Sequence, residues 1–130
     1  MSLPMDDSTG VRILVVEDED SLREFLVDTL RAQKYEVHSA AGGNEAWELL
    51  QSHPFDLLVT DSAMPEGNGF QLIRKLDQLG KSLPVLVLSG YLSLDENSAK
   101  KRGATAYLRK PATAVELISA VDAILRSHAA

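Results

Sequence analysis

From residue 11 onward, short apolar runs rich in β-branched residues alternate with longer segments whose apolar positions recur at helical spacing. Residues 11–16, 35–39, 55–60, 84–88 and 105–108 read as strands. Several lack any polar alternation, which is the pattern of a strand covered on both faces. Between and after them lie five helical patterns, at 21–33, 44–51, 69–79, 95–102 and 113–126. The first carries Leu22, Phe25, Leu26, Thr29 and Leu30 on one stripe, with Asp20 as its N-cap. In the second, Ala46, Leu49 and Leu50 share a face, and in the third Phe70, Leu72, Ile73, Leu76 and Leu79 do. The fourth has few apolar anchors and is expected to pack least firmly. The last offers Val115, Ile118, Val121, Ala123, Ile124 and Leu125 for its buried side. Trp47, Phe25 and Phe70 are assigned to the core or its margin.

Five β/α pairs with short connections predict an α/β fold: a doubly wound, five-stranded parallel sheet with right-handed crossovers and helices on both faces. At 130 residues the chain suits one domain and is too short for an eight-stranded barrel. We expect that domain over residues 11–128, preceded by a flexible lead-in over 1–10, a polar stretch without the makings of a signal peptide. A net charge of −6 argues against direct nucleic-acid binding through phosphates, and no apolar run is long enough for membrane insertion. The absence of cysteine excludes disulfide or thiolate chemistry and is compatible with a cytoplasmic location.

Ligands of open α/β sheets bind beyond the carboxyl ends of the strands, so the residues at those ends matter most. The first strand runs into Glu17 and Asp18, the third into Asp61, the fourth into Ser89 and the fifth into Lys110. Taken singly, each has an ordinary explanation. Glu17 to Asp20 could be an acidic helix start favoured by the dipole, Asp61 a turn cap, Ser89 a local hydrogen-bonding group and Lys110 a surface lysine. Their convergence on one sheet edge favours a site. Gly80-Lys81-Ser82 looks like the end of a phosphate-binding loop, but Lys75 stands where the earlier glycine is required and the segment precedes a strand. His38, His53 and His128 show no metal-ligand spacing.

Val15-Val16-Glu17-Asp18-Glu19, Asp61 followed by Met64-Pro65 and Gly69, Leu88-Ser89-Gly90, and Tyr107-Leu108-Arg109-Lys110-Pro111 together resemble the receiver domain of bacterial two-component response regulators, over about residues 12–126. The resemblance implies a flavodoxin-like (βα)5 fold with strand order 2-1-3-4-5. It implies phosphorylation of Asp61 by a histidine kinase or histidine phosphotransfer protein, switching through Ser89 and Tyr107, a cis Lys110-Pro111 bond, and an output face formed by the fourth helix, fifth strand and last helix. A carboxylate attacking a phosphoryl group meets charge repulsion, which a divalent cation screens. Mg2+ suits a set made of Asp18, Asp61 and the Ala63 backbone carbonyl, with Glu17 acting through water. Lys110 would balance phosphoryl charge and Ser89 would donate to one oxygen. The domain is thereby read as a regulatory phosphoacceptor rather than an enzyme, one that assists its own phosphorylation and dephosphorylation.

Two other readings compete. An aspartyl phosphatase of the haloacid-dehalogenase kind places its nucleophile after the first strand with a second aspartate two residues on, where this chain has Ala63. A receiver-like interaction module independent of phosphorylation would have lost an acid, the hydroxyl or the lysine, all retained here. Ser89-Gly90-Tyr91 resembles receivers attached to hybrid histidine kinases, and Ala112 stands where a bulky aromatic often follows the lysine-proline pair. A single-domain regulator with a separate downstream partner and a receiver working beside its own kinase core both fit.

Overall fold

Strand residues of alternating parity face opposite sides of a sheet, and here both sides are apolar. A computed structural model describes residues 9–63, 68–90 and 94–128. It forms β1 (Arg12–Val16), α1 (Asp20–Ala32), β2 (Glu36–Ala40), α2 (Gly43–Ser52), β3 (Leu57–Asp61), α3 (Gly69–Gln78), β4 (Val85–Ser89), α4 (Glu96–Lys101), β5 (Ala106–Arg109) and α5 (Ala114–Ser127). All strand pairs are parallel, in the order β2-β1-β3-β4-β5. This is the expected doubly wound topology. Most of the expected lead-in lies outside the described residues. Thr9, at its end, donates its backbone N–H to the Lys34 carbonyl at 3.0 Å.

The sheet divides the core in two. Leu14, Val16, Leu58, Val85 and Val87 face α2, α3 and α4, where Ala46, Leu50, Phe70, Leu72, Ile73, Leu76 and Ala99 complete one cluster. Ile13, Val15, Leu57, Val59, Leu86 and Leu88 face α1 and α5 and pack on Leu26, Leu30, Leu117, Val121 and Ile124. Each such side chain contributes roughly 1.5–3 kcal/mol relative to exposure, so the covered strands anchor the loops at their carboxyl ends.

Four expected core positions are corrected. Phe25 is 38% exposed, Leu79 53% and Val115 73%. Phe25 sits one residue off the Leu22/Leu26/Leu30 stripe. Leu79 falls past the last turn of α3, where Gly80, at φ 70°, turns the chain away. Val115 is two residues before Leu117, about 200° round the helix from the buried Leu117/Val121/Ile124 line, and Ala123 is exposed for the same reason. Helix α1 also begins one residue earlier than expected. Glu19 is its N-cap, accepting from the Leu22 N–H at 3.2 Å, while Asp20 instead pairs with Arg23 at 2.6 Å. Asn68 with Gln71, and Thr113 with Glu116, form reciprocal caps that fix where α3 and α5 start. Helix α4 spans six residues with Ala99 alone buried, in keeping with its sparse anchors.

Candidate functional site

The acidic pair after β1 is split by its surroundings. Glu17 is 1% exposed; its carboxylate accepts from the Glu19 N–H at 2.9 Å, and the Arg23 guanidinium holds its backbone carbonyl at 2.9 Å. Asp18, one residue on, faces solvent. At the end of β3 the side chain of Asp61 is buried, and the Ala63 N–H lies 3.4 Å from Asp61 Oδ1. Ala63 itself is half-buried; the Met64-Pro65 pair lies outside the described residues.

Lys110 reaches this edge from the loop after β5, where its backbone N–H donates to the Ser89 carbonyl at 2.9 Å. The Lys110-Pro111 bond is cis, as the resemblance implied. Lys110 Nζ lies 2.9 Å from Glu17 Oε1 and 3.0 Å from Asp61 Oδ2, bridging the two buried acids. Burial pulls the Lys110 pKa down, but hydrogen bonds and attraction from Glu17 and Asp61 more than reverse this and hold it above the ordinary lysine value. Burial pushes Glu17 above the usual carboxylate range, and Asp61 adds to the rise, against hydrogen bonds from Glu19 and Lys110 that lower it. One ammonium shared between two buried acids keeps its own charge firmly while leaving Glu17 under-compensated.

One carboxylate oxygen from each of Glu17, Asp18 and Asp61 falls within 4.8 Å of the others. These are hard oxygen donors, two of them on buried side chains, and they fit a small divalent cation better than any softer metal. Ser89 is fully buried and accepts a hydrogen bond from the Ser62 hydroxyl at 2.9 Å. Tyr107 is half-buried against the α2/α3/α4-side core, and its hydroxyl donates to the Leu94 carbonyl just before α4 at 2.8 Å.

Every candidate from the sequence except the motif residues outside the described ranges is therefore seen, and Glu17, Asp18, Asp61 and Lys110 are brought together. Two contributors escaped sequence reasoning, as did the steric reason for Gly69, which the motif already contained. Arg23 clamps the acidic loop, an i+6 link that no helix pattern announces. Ser62 meets Ser89, which the pairing of β3 with β4 would have indicated. At Gly69 a Cβ would lie 2.6 Å from the Asp61 carbonyl and 2.7 Å from Thr60 Cγ2, so only glycine lets α3 approach the end of β3. His38 and His53, distant in sequence, bring their rings to 5.8 Å at the opposite side of the sheet from the acids, near Phe55.

Comparison with known proteins agrees with this geometry. Residues 13–122 match the response regulator receiver domain. The response regulator MprA of Mycobacterium ulcerans is 41% identical over 90% of this chain and 51% of its own length. The response regulator protein PilR of Pseudomonas aeruginosa is 39% identical over 88% of this chain and 26% of its own. The chain thus spans about half or less of these relatives. The chemotaxis response regulator CheY4 of Vibrio cholerae superposes with a TM-score of 0.81 at 31% identity, covering 88% of this chain and 98% of that one. A motif set at four strand ends, a family match across most of the chain and a shared fold lead to one conclusion: the chain belongs to the response regulator receiver domains, the phosphoacceptor domains of two-component signalling.

Proposed function

We propose that Asp61 is the phosphoacceptor and that Glu17, Asp18 and Lys110 make its attack possible. The observation that carries this is Lys110 Nζ at 3.0 Å from Asp61 Oδ2, beside three carboxylates whose oxygens lie within 4.8 Å of one another. An Asp61 oxygen forms a bond to phosphorus, the bond to the donor's imidazole nitrogen breaks, and that electron pair leaves on the imidazole. Lys110 offsets charge on the phosphoryl oxygens as a compact point cation. Glu17 orients Lys110 and would take part in cation binding through water. Asp18, Asp61 and the Ala63 carbonyl would hold Mg2+, which supplies charge screening and orients phosphoryl oxygens. The same groups position water for loss of the phosphoryl group, so the domain assists both its phosphorylation and its dephosphorylation.

The donor is a histidine kinase or a histidine phosphotransfer protein, in keeping with a cytoplasmic domain. No helix among the described residues is long and apolar enough to cross a membrane. We take the receiver unit to run over 11–128. Its output is carried by Ser89 and Tyr107. A phosphoryl oxygen is a strong acceptor for the Ser89 hydroxyl, and the Tyr107 bond to the Leu94 carbonyl ties β5 to the segment entering α4, the least anchored helix. The α4-β5-α5 face then changes partners, toward a downstream protein or the chain's own kinase core.

Incubation with a small phosphodonor and Mg2+, followed by intact mass, tests this. The parent gains one phosphoryl group; Asp61→Ala gains none, and Asp18→Ala loses the Mg2+ dependence together with most of the yield. Rapid turnover without a stable adduct would point instead to a phosphatase, and no adduct at all to a module independent of phosphorylation.

A further inference from the structure

β3 and β4 pair in parallel, Asp61 opposite Leu88, so the next positions, Ser62 and Ser89, lie side by side. Both are buried, Ser62 at 6% exposure and Ser89 at 0%. The Ser62 backbone N–H continues the ladder to the Leu88 carbonyl at 2.9 Å, and its hydroxyl donates to Ser89 Oγ at 2.9 Å. Alternation places both hydroxyls on the side of Val87 and Tyr107, whereas Asp61 and Leu88 belong to the other parity. The bond therefore orients the switch hydroxyl toward the tyrosine side of the sheet.

We propose that Ser62 is a positioning residue that holds Ser89 in the resting orientation and so sets how readily the domain switches. This rests on Asp61 being the phosphoacceptor with Ser89 as its hydroxyl partner. Ser89 only accepts in this bond, but Asp61 lies on the other parity, so turning its hydroxyl toward a phosphoryl oxygen there draws Ser89 out of the orientation that Ser62 favours, and the lost bond counts against the switched state. A ligand shifts the two arrangements only by its differential interaction with them, so a bond made in one arrangement alone enters that difference directly. The position after the phosphoacceptor then tunes sensitivity without touching the phosphoryl group. An alanine there yields a domain that switches more readily. A hydroxyl there restrains it.

Two measurements on the intact chain decide this. The first reads the Ser89 side-chain rotamer from three-bond couplings in unmodified protein: one dominant rotamer in the parent, a shifted rotamer population in Ser62→Ala, and restoration in Ser62→Thr, which keeps the hydroxyl. Unchanged couplings in Ser62→Ala overturn the proposal. The second titrates beryllofluoride with Mg2+ as a phosphoryl mimic. Removing one competing hydrogen bond should tighten its binding about fivefold in Ser62→Ala. In a Ser89→Ala background the same change should have no effect. Equal or weaker binding in Ser62→Ala, or tightening that persists without Ser89, overturns it. If the parent bound no mimic, the phosphoacceptor reading would fail by itself, and the couplings would still show whether Ser62 holds Ser89.

Discussion

The two ends of the sheet handle charge in opposite ways. At the amino end, Arg12 Nε meets Glu36 Oε2 at 2.6 Å, the Arg12 backbone N–H donates to Asp56 Oδ2 at 2.8 Å, and His38 Nε2 lies 2.8 Å from the same Glu36 oxygen. These side chains are partly exposed, cations and anions are mixed, and the Glu36 carboxyl sits below its ordinary range through its hydrogen bond to His38 and its contacts with Arg12. At the carboxyl end, Glu17 and Asp61 are buried and Asp18 adjoins them, with the Lys110 ammonium between the buried pair. Three carboxylates against one ammonium leave the chain's own charges unbalanced where dielectric screening is weakest. Both ends carry ion pairs of similar length. Only the burial and the imbalance distinguish the end where we place the cation and the phosphoryl group.

The largest difference should appear on removing the cation at each end. Lys110→Met strips the partner from a carboxylate that is 1% exposed. Breaking a fully buried pair costs about 3–5 kcal/mol, and because the Lys110 side chain keeps 23% exposure the expected loss is about 2 kcal/mol. Urea denaturation in a chelator measures it. Added Mg2+ should stabilise Lys110→Met more than the parent, since the acids left without the ammonium attract a cation more strongly. A variant as stable as the parent would mean that the buried end is no more demanding than the exposed one.

Glu17 supplies a test by pH. Its pKa is raised in the folded protein by burial, so the folded state holds this proton more tightly than the unfolded chain does. Its contribution to stability is therefore fully present below the ordinary value of 4.5 and is lost as pH rises through the folded value. Lys110 acts in the same sense at higher pH, its contribution being kept below the ordinary 10.5 and lost above its raised folded value. Other carboxylates, Glu36 among them, run the opposite way, so the comparison is made against Glu17→Gln, which stands in for the protonated acid. In chelator, the parent should lose stability relative to Glu17→Gln as pH climbs from 4 toward neutrality, roughly one site's worth of titration. A difference that is flat with pH, or that grows in the parent's favour, would show that Lys110 fully compensates Glu17.

How much of this was legible in the sequence follows from which features are periodic. Strands covered on both faces announce themselves as apolar runs, and the order of five β/α pairs then fixes topology and delivers Glu17, Asp18, Asp61, Ser89 and Lys110 to one edge. Element ends drifted by a residue or so because capping choices are local contests: Glu19 won over Asp20 once Asp20 was engaged by Arg23. Val115 and Phe25 were misassigned because apolar character alone does not say which angle on a helix faces the sheet. The Ser62 contact and the close approach at Gly69 depend on strand register and on how deeply α3 docks, which only the folded chain determines. The burial difference between adjacent Glu17 and Asp18 belongs to the same class.

The smallest effect belongs to the amino end. Arg12→Ala removes a guanidinium from a pair whose side chains are 31% and 51% exposed, and leaves behind a carboxylate that water and His38 can serve. The backbone N–H of residue 12 keeps its bond to Asp56, and its carbonyl still accepts from the Asp56 N–H at 2.7 Å, so the junction between β1 and β3 survives the change. Exposed pairs of this kind are worth about 0–1 kcal/mol, and part of that is packing of the arginine stem, which salt does not screen. The expected loss is under about 1 kcal/mol, shrinking further at high ionic strength and identical with and without Mg2+. A cost equal to that of Lys110→Met would break the contrast between the two ends. A cost that disappeared on adding Mg2+ would show that the ends are coupled through β1, with charge at Arg12 felt by Glu17 and Asp18 at the far end of the same strand.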